Sequence, residues 1–286
     1  IQHLMPVLRE QLAGNAKLRR KLFQVEFLST LAGDTLITLV YHRKLEQQWE
    51  TQAERLRCGL QQMVPGLSII GRSRKQKLVL GRNWVCERLP IRGEEYSYNQ
   101  YEQAFTQPNA DLNIHMIEWA CQRATPLVGD LLELYCGNGN FTLPLSREFN
   151  NVVATELAKV SVRAARENIR VNGIDNIQMI RLAAEEVTQA MRRDREFRRL
   201  ADLPKPLHEY ELKTVFVDPP RAGLDAQTVQ MVASFDTIIY ISCNPETLAE
   251  NLALLGNSHR VGQFALFDQF PYTDHMECGV VLHRKA

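Results

Sequence analysis

The stretch LLELYCGNGN, residues 131–140, decides the fold. It begins with a short, mostly apolar run, Leu131–Tyr135, that has the length of one buried β-strand. Gly137-Asn138-Gly139 follows almost at once and precedes a segment that we predict to be helical. Glycines at such a junction permit positive φ and let a ligand approach the backbone closely. The stretch therefore predicts a strand, a tight turn and a helix with a ligand site at the turn.

Strands and helices alternate after residue 130. The predicted strands are Val152–Thr155, Ile177–Leu182, Thr214–Val217 and Ile238–Ser242. The predicted helices are Phe141–Phe149, Ala158–Val171 and Thr247–Leu255, and a closing antiparallel pair is predicted at Gln263–Phe267 and Gly279–His283. This alternation is typical of an α/β protein with a parallel sheet covered on both faces, which binds ligands beyond the carboxyl ends of its strands.

The first hundred residues predict a smaller α+β domain. Two β-rich runs, Phe23–Thr30 and Thr35–His42, flank the turn signal Ala32-Gly33-Asp34, and a helix is predicted over Leu45–Met63. Further short strands are predicted at Leu67–Gly71 and Lys77–Val79, and a helix at about Asn109–Arg123. We therefore predict a small domain at residues 1–104 and a larger one at 105–286.

Composition limits the function classes. The 286 residues are 45% hydrophobic and 23% charged, as in globular proteins, and no apolar run approaches the ~18 residues of a membrane helix. The start of the chain has no signal-peptide pattern and no initiator methionine, so we expect a cytoplasmic protein whose N-terminal domain is incomplete. The six cysteines form no C-x-x-C pair, which predicts free thiols and neither a metal site nor an iron–sulfur cluster.

Charge is distributed unevenly. Residues 1–126 carry 17 Lys/Arg and 12 Asp/Glu, whereas the remainder carries 17 and 21. A basic first half fits contact with a phosphate backbone, although solvated surface charge explains it about as well. The stretch Met191–Leu200 contains five arginines; we interpret it as a solvated helix face, with RNA contact as the alternative.

A carboxylate follows the second strand of the larger domain. Glu156 lies 19 residues after Gly137, where an acidic side chain can reach the two hydroxyls of a bound ribose. Thr142 occupies the place of the third glycine in G-x-G-x-x-G, which disfavours a dinucleotide without excluding it. A cofactor without a pyrophosphate, such as S-adenosylmethionine, suits this loop better. The alternative is a plain tight turn with Glu156 on the surface.

Reactive side chains follow the later strands. Asp218-Pro219-Pro220-Arg221 forms a stiff loop after the fourth strand, and Arg221 is a candidate for holding a phosphate or a base oxygen. Ser242-Cys243-Asn244-Pro245 follows the fifth, where nearby positive charge or helix N-terminal amides would lower the pKa of the Cys243 thiol. The alternative for Cys243 is a buried structural thiol. His275 and Glu277, before the last strand, are candidate proton acceptors.

Together these strings resemble the RNA uracil-5-methyltransferase family. The resemblance extends over nearly the whole chain. It is carried by Phe105-Thr106-Gln107-Pro108-Asn109, Leu134-Tyr135-Cys136-Gly137-Asn138-Gly139-Asn140-Phe141, Asp218-Pro219-Pro220-Arg221, Tyr240-Ile241-Ser242-Cys243-Asn244-Pro245 and His275-Met276-Glu277. It implies a Rossmann-like class I methyltransferase sheet that uses S-adenosylmethionine, with a smaller N-terminal α+β domain that contacts RNA.

The resemblance also implies site residues. Cys243 would be the nucleophile and Glu277 the general base. The S-adenosylmethionine pocket would be lined by Gln107, Tyr135, Gly137, Asn140, Glu156 and Asp218. We expect the substrate to be contacted by Arg221, Asn244, Pro245 and His275.

The resemblance implies that the substrate is a T-loop uridine of tRNA, methylated at carbon 5, and we expect this base to be flipped out of its stack and the enzyme to be a monomer. Basic residues Arg72, Arg74, Lys75 and Lys77 are expected to contact the RNA backbone, and Phe270 and Tyr272 to stack on bases. Three alternatives stay open: an rRNA uracil-5-methyltransferase, a methyltransferase for cytosine, adenine or a small molecule, and an RNA-binding or RNA-folding module that retains the fold.

Overall fold

The computed structural model describes residues 1–285, which divide into two compact units. Unit 1 comprises Ile1–Arg88 and Ser97–Ala104, and unit 2 comprises Leu89–Tyr96 and residues 105–285. The prediction of separate domains at residues 1–104 and 105–286 stays a prediction. No helix in the described chain is long and apolar enough to cross a membrane.

Unit 1 is built on a four-stranded sheet in the order β1-β2-β3-β4. Its helices are α1 (Leu4–Gly14), α2 (Ala16–Arg19) and α3 (Gln47–Leu60). Its strands are β1 (Leu22–Ser29), β2 (Thr35–Tyr41), β3 (Ser68–Ser73) and β4 (Gln76–Leu80). Leucines of α1 and α3 pack with Trp49, Ile37 and Ile69 in one apolar core.

A two-stranded sheet, β5 (Trp84–Ile91) with β6 (Glu94–Tyr101), contributes residues to both units. Arg92 and Gly93 join the strands with φ of +50° and +85°, as a tight hairpin turn requires. The sequence analysis missed these strands and α1. The buried positions of β5 do alternate, but one of them is Glu87 and Pro90 lies between the last two, so the apolar pattern of a strand is hidden.

Unit 2 contains a seven-stranded sheet flanked by helices. Its strands are β7 (Asp130–Leu134), β8 (Val152–Thr155), β9 (Ile177–Ile180), β10 (Leu212–Val217), β11 (Thr237–Ser242), β12 (His259–Phe267) and β13 (Glu277–Arg284). Its helices are α4 (Ala110–Ala124), α5 (Thr142–Leu145), α6 (Lys159–Val171), α7 (Ala184–Met191), α8 (Ala226–Val232) and α9 (Pro245–Leu255).

The strand order is β12-β13-β11-β10-β7-β8-β9, and only the contacts of β13 are antiparallel. The chain runs outward from β7 through β8 to β9 and then returns to β10 on the other side of β7. The carboxyl ends of β7 and β10 therefore flank the point where the strand order reverses, which is where open α/β sheets bind ligands.

Apolar side chains hold the sheet in place. Strands β7 and β11 are buried along their whole length, as expected for central parallel strands covered on both faces. Residues such as Val215, Ile238 and Tyr240 pack with α7, α8 and α9. This core fixes the strand ends, and so the loops that follow them, in rigid positions.

Two predicted elements differ from the structure. The helix predicted over Phe141–Phe149 is only α5 followed by a 3-10 turn at Ser146–Glu148, because Pro144 interrupts the helical hydrogen bonds. The stretch Arg192–Arg199 is not a helix face, since α7 ends at Met191 and the following residues form turns and a 3-10 segment from Arg198. Helices α7 and α8 were not predicted.

Candidate active site

Polar or reactive side chains line the carboxyl edge of the sheet. Glu156, Tyr135, Asp218 and Cys243 directly follow β8, β7, β10 and β11, and Glu277 opens the adjacent antiparallel strand β13. We call these five residues the active-site row. Neighbouring strands lie about 4.8 Å apart, so the row from Glu156 after β8 to Glu277 in β13 spans roughly 19 Å. The structure therefore brings these five sequence-predicted residues to one edge.

The glycine loop forms one end of the row. The Gly137 amide donates to Oε2 of Glu156 at 3.1 Å, and the Ala158 amide donates to Oε1 at 2.6 Å. Gly137 has φ of +58°, and a Cβ added there would meet no atom within 4 Å. The loop therefore holds a carboxylate beside a turn that is open on the side where a side chain would otherwise stand.

Tyr135 and Asn140 flank this loop. Tyr135 adopts φ of +59°, a left-handed conformation that costs a non-glycine residue about 1 kcal/mol. Burial raises the pKa of its phenol to about 12, so the phenol stays neutral. The Asn140 side chain exchanges two hydrogen bonds of 2.8 Å with Asn113 of α4, a partner that the sequence analysis did not identify. This pair fixes the loop against α4.

Glu133, within β7, is a further acidic residue that the sequence analysis missed. Its side chain is buried, and neither carboxylate oxygen has a hydrogen-bond partner in the described chain. Burial raises the pKa of Glu133 to about 8 and the charge of Asp218 contributes, whereas the nearby Thr142 hydroxyl, which makes no hydrogen bond of good geometry, opposes the rise. The visible signal was an acid inside an otherwise apolar strand, four residues before Gly137. A buried carboxyl without partners is suited to meeting a cationic ligand.

Hydrogen bonds from α9 hold the loop that follows β10 and begins with Asp218. Asn251 of α9 accepts hydrogen bonds from the Leu224 amide at 2.9 Å and the Tyr240 hydroxyl at 2.8 Å, and it donates to the Leu224 carbonyl at 3.1 Å. Burial, reinforced by the charge of Glu277, raises the pKa of Asp218 to about 8. Asn251 therefore positions the loop, a role that helical periodicity alone could not reveal.

Cys243 is half-buried rather than packed in the core. The Ser242 hydroxyl donates to the Asn244 carbonyl at 3.1 Å and accepts from the Asn244 amide at 3.2 Å, so the cysteine sits inside a tight turn. Asn244 caps α9 through the Glu246 amide and donates to the Arg221 carbonyl at 3.0 Å. Pro245 is the first residue of that helix. The turn, the cap and the Arg221 loop thus fix the thiol together.

The expectation of a lowered thiol pKa is wrong for the protein without ligands. Burial raises the pKa of Cys243, and the carboxyl groups of Glu277 and Asp218 raise it further. Arg221 lowers it only in part. Burial, together with the two carboxyl groups, therefore outweighs the single positive charge of Arg221.

Glu277 lies opposite the cysteine. Ser242 pairs with Cys278 across β11 and β13, so the next position in the antiparallel register places Cys243 opposite Glu277. Glu277 is only 3% exposed, and its Oε2 has no hydrogen-bond partner in the described chain. Burial raises the pKa of Glu277 to about 7. A carboxylate that titrates near neutrality beside a thiol is suited to proton transfer.

The other predicted site residues, Gln107 and His275, and the predicted stacking residue Tyr272 are fixed by fewer contacts within the protein. Gln107 accepts a hydrogen bond of 2.8 Å from Gln269, a buried residue that the sequence analysis missed. His275 is exposed, with its ring edge-on to Phe270 at 6.0 Å, and Tyr272 is fully exposed with φ of +67°. No group of metal-ligating side chains occurs within residues 1–285.

The strand order and the carboxylate beside the glycine loop define a class: the protein has the Rossmann-like fold of S-adenosylmethionine-dependent methyltransferases. The crystal structure of Pyrococcus abyssi tRNA (uracil-54, C5)-methyltransferase in complex with S-adenosyl-L-homocysteine is similar, with a TM-score of 0.67 and 20% identity over 96% of this chain and 65% of that chain, slightly less than two thirds. The crystal structure of a tRNA m1G37 methyltransferase from M. jannaschii has a TM-score of 0.51 and 9% sequence identity, covering 95% of this chain and 78% of that chain.

Comparison of the sequence with known proteins identifies the family, whereas the structural similarity shows only the fold. The family model described as tRNA (Uracil-5-)-methyltransferase matches residues 1–285, so the chain belongs to this family. A tRNA/tmRNA (uracil-C(5))-methyltransferase from Vibrio parahaemolyticus is 54% identical over 286 residues, covering 100% of this chain and 78% of that protein. One from Klebsiella pneumoniae is 52% identical, covering 100% and 77%. The family resemblance and the fold class predicted from sequence are confirmed.

Proposed function

We propose that this protein methylates carbon 5 of a T-loop uridine in tRNA, with Cys243 as the nucleophile and Glu277 as the general base. One observation carries the proposal. The last pair of the β11–β13 register is Ser242 with Cys278, so the next residues are a half-buried thiol and a buried carboxyl with a pKa of about 7, and the charge of that carboxyl raises the pKa of the thiol. A purely structural cysteine would not need that neighbour.

The reaction requires a thiol because carbon 5 of uracil is a weak nucleophile. Addition of the Cys243 sulfur to carbon 6 gives an enolate, whose carbon 5 can then take the methyl group of a sulfonium donor, which leaves as the neutral thioether. The thiol loses its proton to solvent before this step, although burial and the neighbouring carboxyl groups raise its pKa. Positive charge supplied by Arg221 and by the cationic methyl donor favours the thiolate.

Glu277 acts in the last steps of the proposed reaction. After methylation, carbon 5 carries both a proton and the new methyl group. The ionised Glu277 carboxylate takes the proton, the electron pair forms the carbon 5–carbon 6 double bond, and the carbon–sulfur bond breaks to release Cys243 as a thiolate. The proton then passes from Glu277 to solvent. The raised pKa makes Glu277 a stronger base than an exposed carboxylate.

The other end of the row fits S-adenosylmethionine. Glu156 can accept hydrogen bonds from two ribose hydroxyls, and the unpartnered buried acid Glu133 suits a cationic group. When bound, S-adenosylmethionine supplies the methyl group. We propose that Gln107, Tyr135, Gly137, Asn140 and Asp218 form the rest of its pocket, and that no metal takes part.

Unit 1 offers surfaces for RNA. Phe23, 66% exposed on β1, meets the His42 ring edge-on at 4.4 Å, and such an aromatic pair can stack on an unpaired base. The expected basic contacts must be revised, because Arg72 and Lys77 are both paired with the buried Glu102. Arg74 and Lys75 keep the expected role. We further propose that the enzyme acts as a cytoplasmic monomer on a flipped-out uridine.

The test is nucleoside analysis. The protein is incubated with S-adenosylmethionine and either unmodified tRNA or unmodified rRNA, and the digested RNA is analysed by mass spectrometry. We expect 5-methyluridine in tRNA only, and none after a T-loop uridine-to-cytidine change. A methylated cytosine or adenine, or methylation confined to rRNA, would contradict the proposal, and so would tight tRNA binding without any methylation.

A further inference from the structure

A basic segment of unit 2 plays no part in the reaction above. Residues 192–199, which we call the arginine segment, contain five arginines, one aspartate and one glutamate. The rest of residues 127–286 carries 12 Lys/Arg against 19 Asp/Glu. A net charge of +3 within eight residues therefore lies in a half of the chain that otherwise has a net charge of −7.

The arginine segment is held in a defined shape. The Arg193 amide donates to the Ala190 carbonyl at 3.1 Å, and Arg193 takes a left-handed φ of +60° where α7 ends. Phe197 and Leu200 then pack against the apolar core of unit 2. These anchors turn the apolar side chains inward and leave the arginines at the surface, which lowers the entropy cost of ordering the segment on a ligand.

Three of the arginines are available to a partner. Arg193, Arg195 and Arg198 are exposed and make no ion pair with any described residue. The Arg195 guanidinium lies over the Phe197 ring at 5.0 Å, which restricts its position. The other two arginines are engaged within the protein: Arg192 donates to Gln230 at 2.8 Å, and Arg199 donates to the Arg181 carbonyl at 2.9 Å.

Two contacts link the arginine segment to the edge of the sheet that carries the active site. Arg199 bonds to the carbonyl of Arg181, and the Arg181 side chain donates to the Leu157 carbonyl at 3.0 Å. Leu157 directly follows Glu156, the carboxylate beside the glycine loop. The segment therefore borders the β8–β9 side of the sheet, at least three strand spacings, or about 14 Å, from β11, the strand that Cys243 follows.

We propose that the arginine segment binds phosphate groups of the tRNA at a distance from the reacting uridine. The inference rests on the function proposed above, because that function brings a polyanion to this edge of the sheet. Guanidinium groups match phosphate oxygens in charge and in bidentate geometry, and three free ones in six residues suit successive phosphates. An acidic protein partner would need a second ligand that nothing else at this edge implies.

The test compares tRNA binding by the wild-type protein and the triple variant Arg193→Ala/Arg195→Ala/Arg198→Ala over a range of salt concentrations. Each lost phosphate contact makes the slope of log K against log [salt] shallower by about 0.7–0.9, so we expect a total change of roughly 2–3. The loss should appear in Kd and KM rather than in the single-turnover rate at saturating tRNA. Unchanged affinity and slope would overturn the inference, as would a loss confined to the saturated rate.

Matched variants keep the outcome interpretable. The triple lysine variant Arg193→Lys/Arg195→Lys/Arg198→Lys should retain most of the slope, and Asp194→Asn/Glu196→Gln should tighten binding. Arg260→Ala, an exposed arginine of β12, should change the slope by less than about 0.3. If the lysine variant lost as much as the alanine variant, charge would not be the cause. A protein that binds tRNA through the segment without forming 5-methyluridine would refute only the proposed function.

Discussion

The two ends of the active-site row are built differently. At the β7–β8 end, both carboxylate oxygens of Glu156 accept backbone hydrogen bonds, and Asn140 is paired with Asn113. At the β10–β13 end, Asp218 and Glu277 have raised pKa values, and Oε2 of Glu277 has no partner. Apart from Glu133, the first end has its polar side chains partnered within the protein, whereas Glu277 at the second end keeps a carboxylate oxygen that a substrate can meet. We therefore expect mutations at the two ends to fail in different steps.

The largest effect is expected at Cys243. Cys243→Ala removes the group that activates the pyrimidine, so methyl transfer should fall at least about 10³-fold, comparable to the loss of other enzymatic nucleophiles. S-adenosylmethionine affinity, measured by calorimetry, should change less than twofold because the β7–β8 end is untouched. Cys278→Ala, one position beyond Glu277 in sequence and buried, serves as the control and should keep most of the activity. A Cys243→Ala enzyme with near-normal turnover would remove the distinction between the two ends.

Glu277→Gln should slow turnover by about 10²–10³-fold, within the range for loss of a general base. The role of Glu277 also predicts how the reaction rate depends on pH. The base works when ionised, so the wild-type enzyme should lose its rate advantage over the variant as pH drops below the Glu277 pKa of about 7, whereas ionisation of the Cys243 thiol affects both enzymes alike. Stopped assays between pH 5.5 and 9, in roughly half-unit steps, measure both. The role fails if the two profiles have the same shape.

Glu156→Gln should act only on the cofactor. Replacing a charged acceptor of two ribose hydroxyls costs about 1.5–3 kcal/mol, or a Kd for S-adenosylmethionine roughly 10–100-fold higher. At saturating cofactor the methylation rate should recover to within about threefold. A loss of rate that saturation does not repair would show that the β7–β8 end also participates in the chemistry.

Glu133→Gln is expected to have the smallest effect, on stability. Burial raises the pKa of Glu133 from 4.5 to about 8, so the folded protein binds this proton more tightly than the unfolded chain. That contribution is complete below about pH 4.5 and is lost as pH rises through 8. Without cofactor, the variant should therefore be more stable than wild type at pH 9, by about 1–3 kcal/mol, and similar at pH 5. Denaturant unfolding at the two pH values tests it, and equal differences at both would contradict it.

The difference between the ends also explains what the sequence could predict. Strand-end residues such as Glu156, Asp218 and Cys243 follow apolar runs and turn signals, which are local patterns. The opposition of Cys243 and Glu277 depends on the β11–β13 register between segments 34 residues apart, which no local pattern specifies.

Electrostatic properties and buried partners were harder to predict. The raised pKa of Cys243 results first from burial and then from the Glu277 and Asp218 carboxyl groups that folding brings near it, whereas the sequence analysis considered only positive charge and helix amides. Asn113, Asn251 and Gln269 position the site through long-range hydrogen bonds, and each looks like an ordinary polar residue in its own segment. Arg72 and Lys77 looked free because Glu102, their partner, lies 25 or more residues away.

The covalent step can be observed directly. The protein is incubated with S-adenosylmethionine and tRNA containing 5-fluorouridine, which cannot lose a proton from carbon 5, and the products are resolved by denaturing gel and peptide mass spectrometry. We expect a stable protein–RNA adduct attached at Cys243, formed by wild type and Glu277→Gln but not by Cys243→Ala. An adduct that persists in Cys243→Ala, or one attached to another residue, would contradict the account.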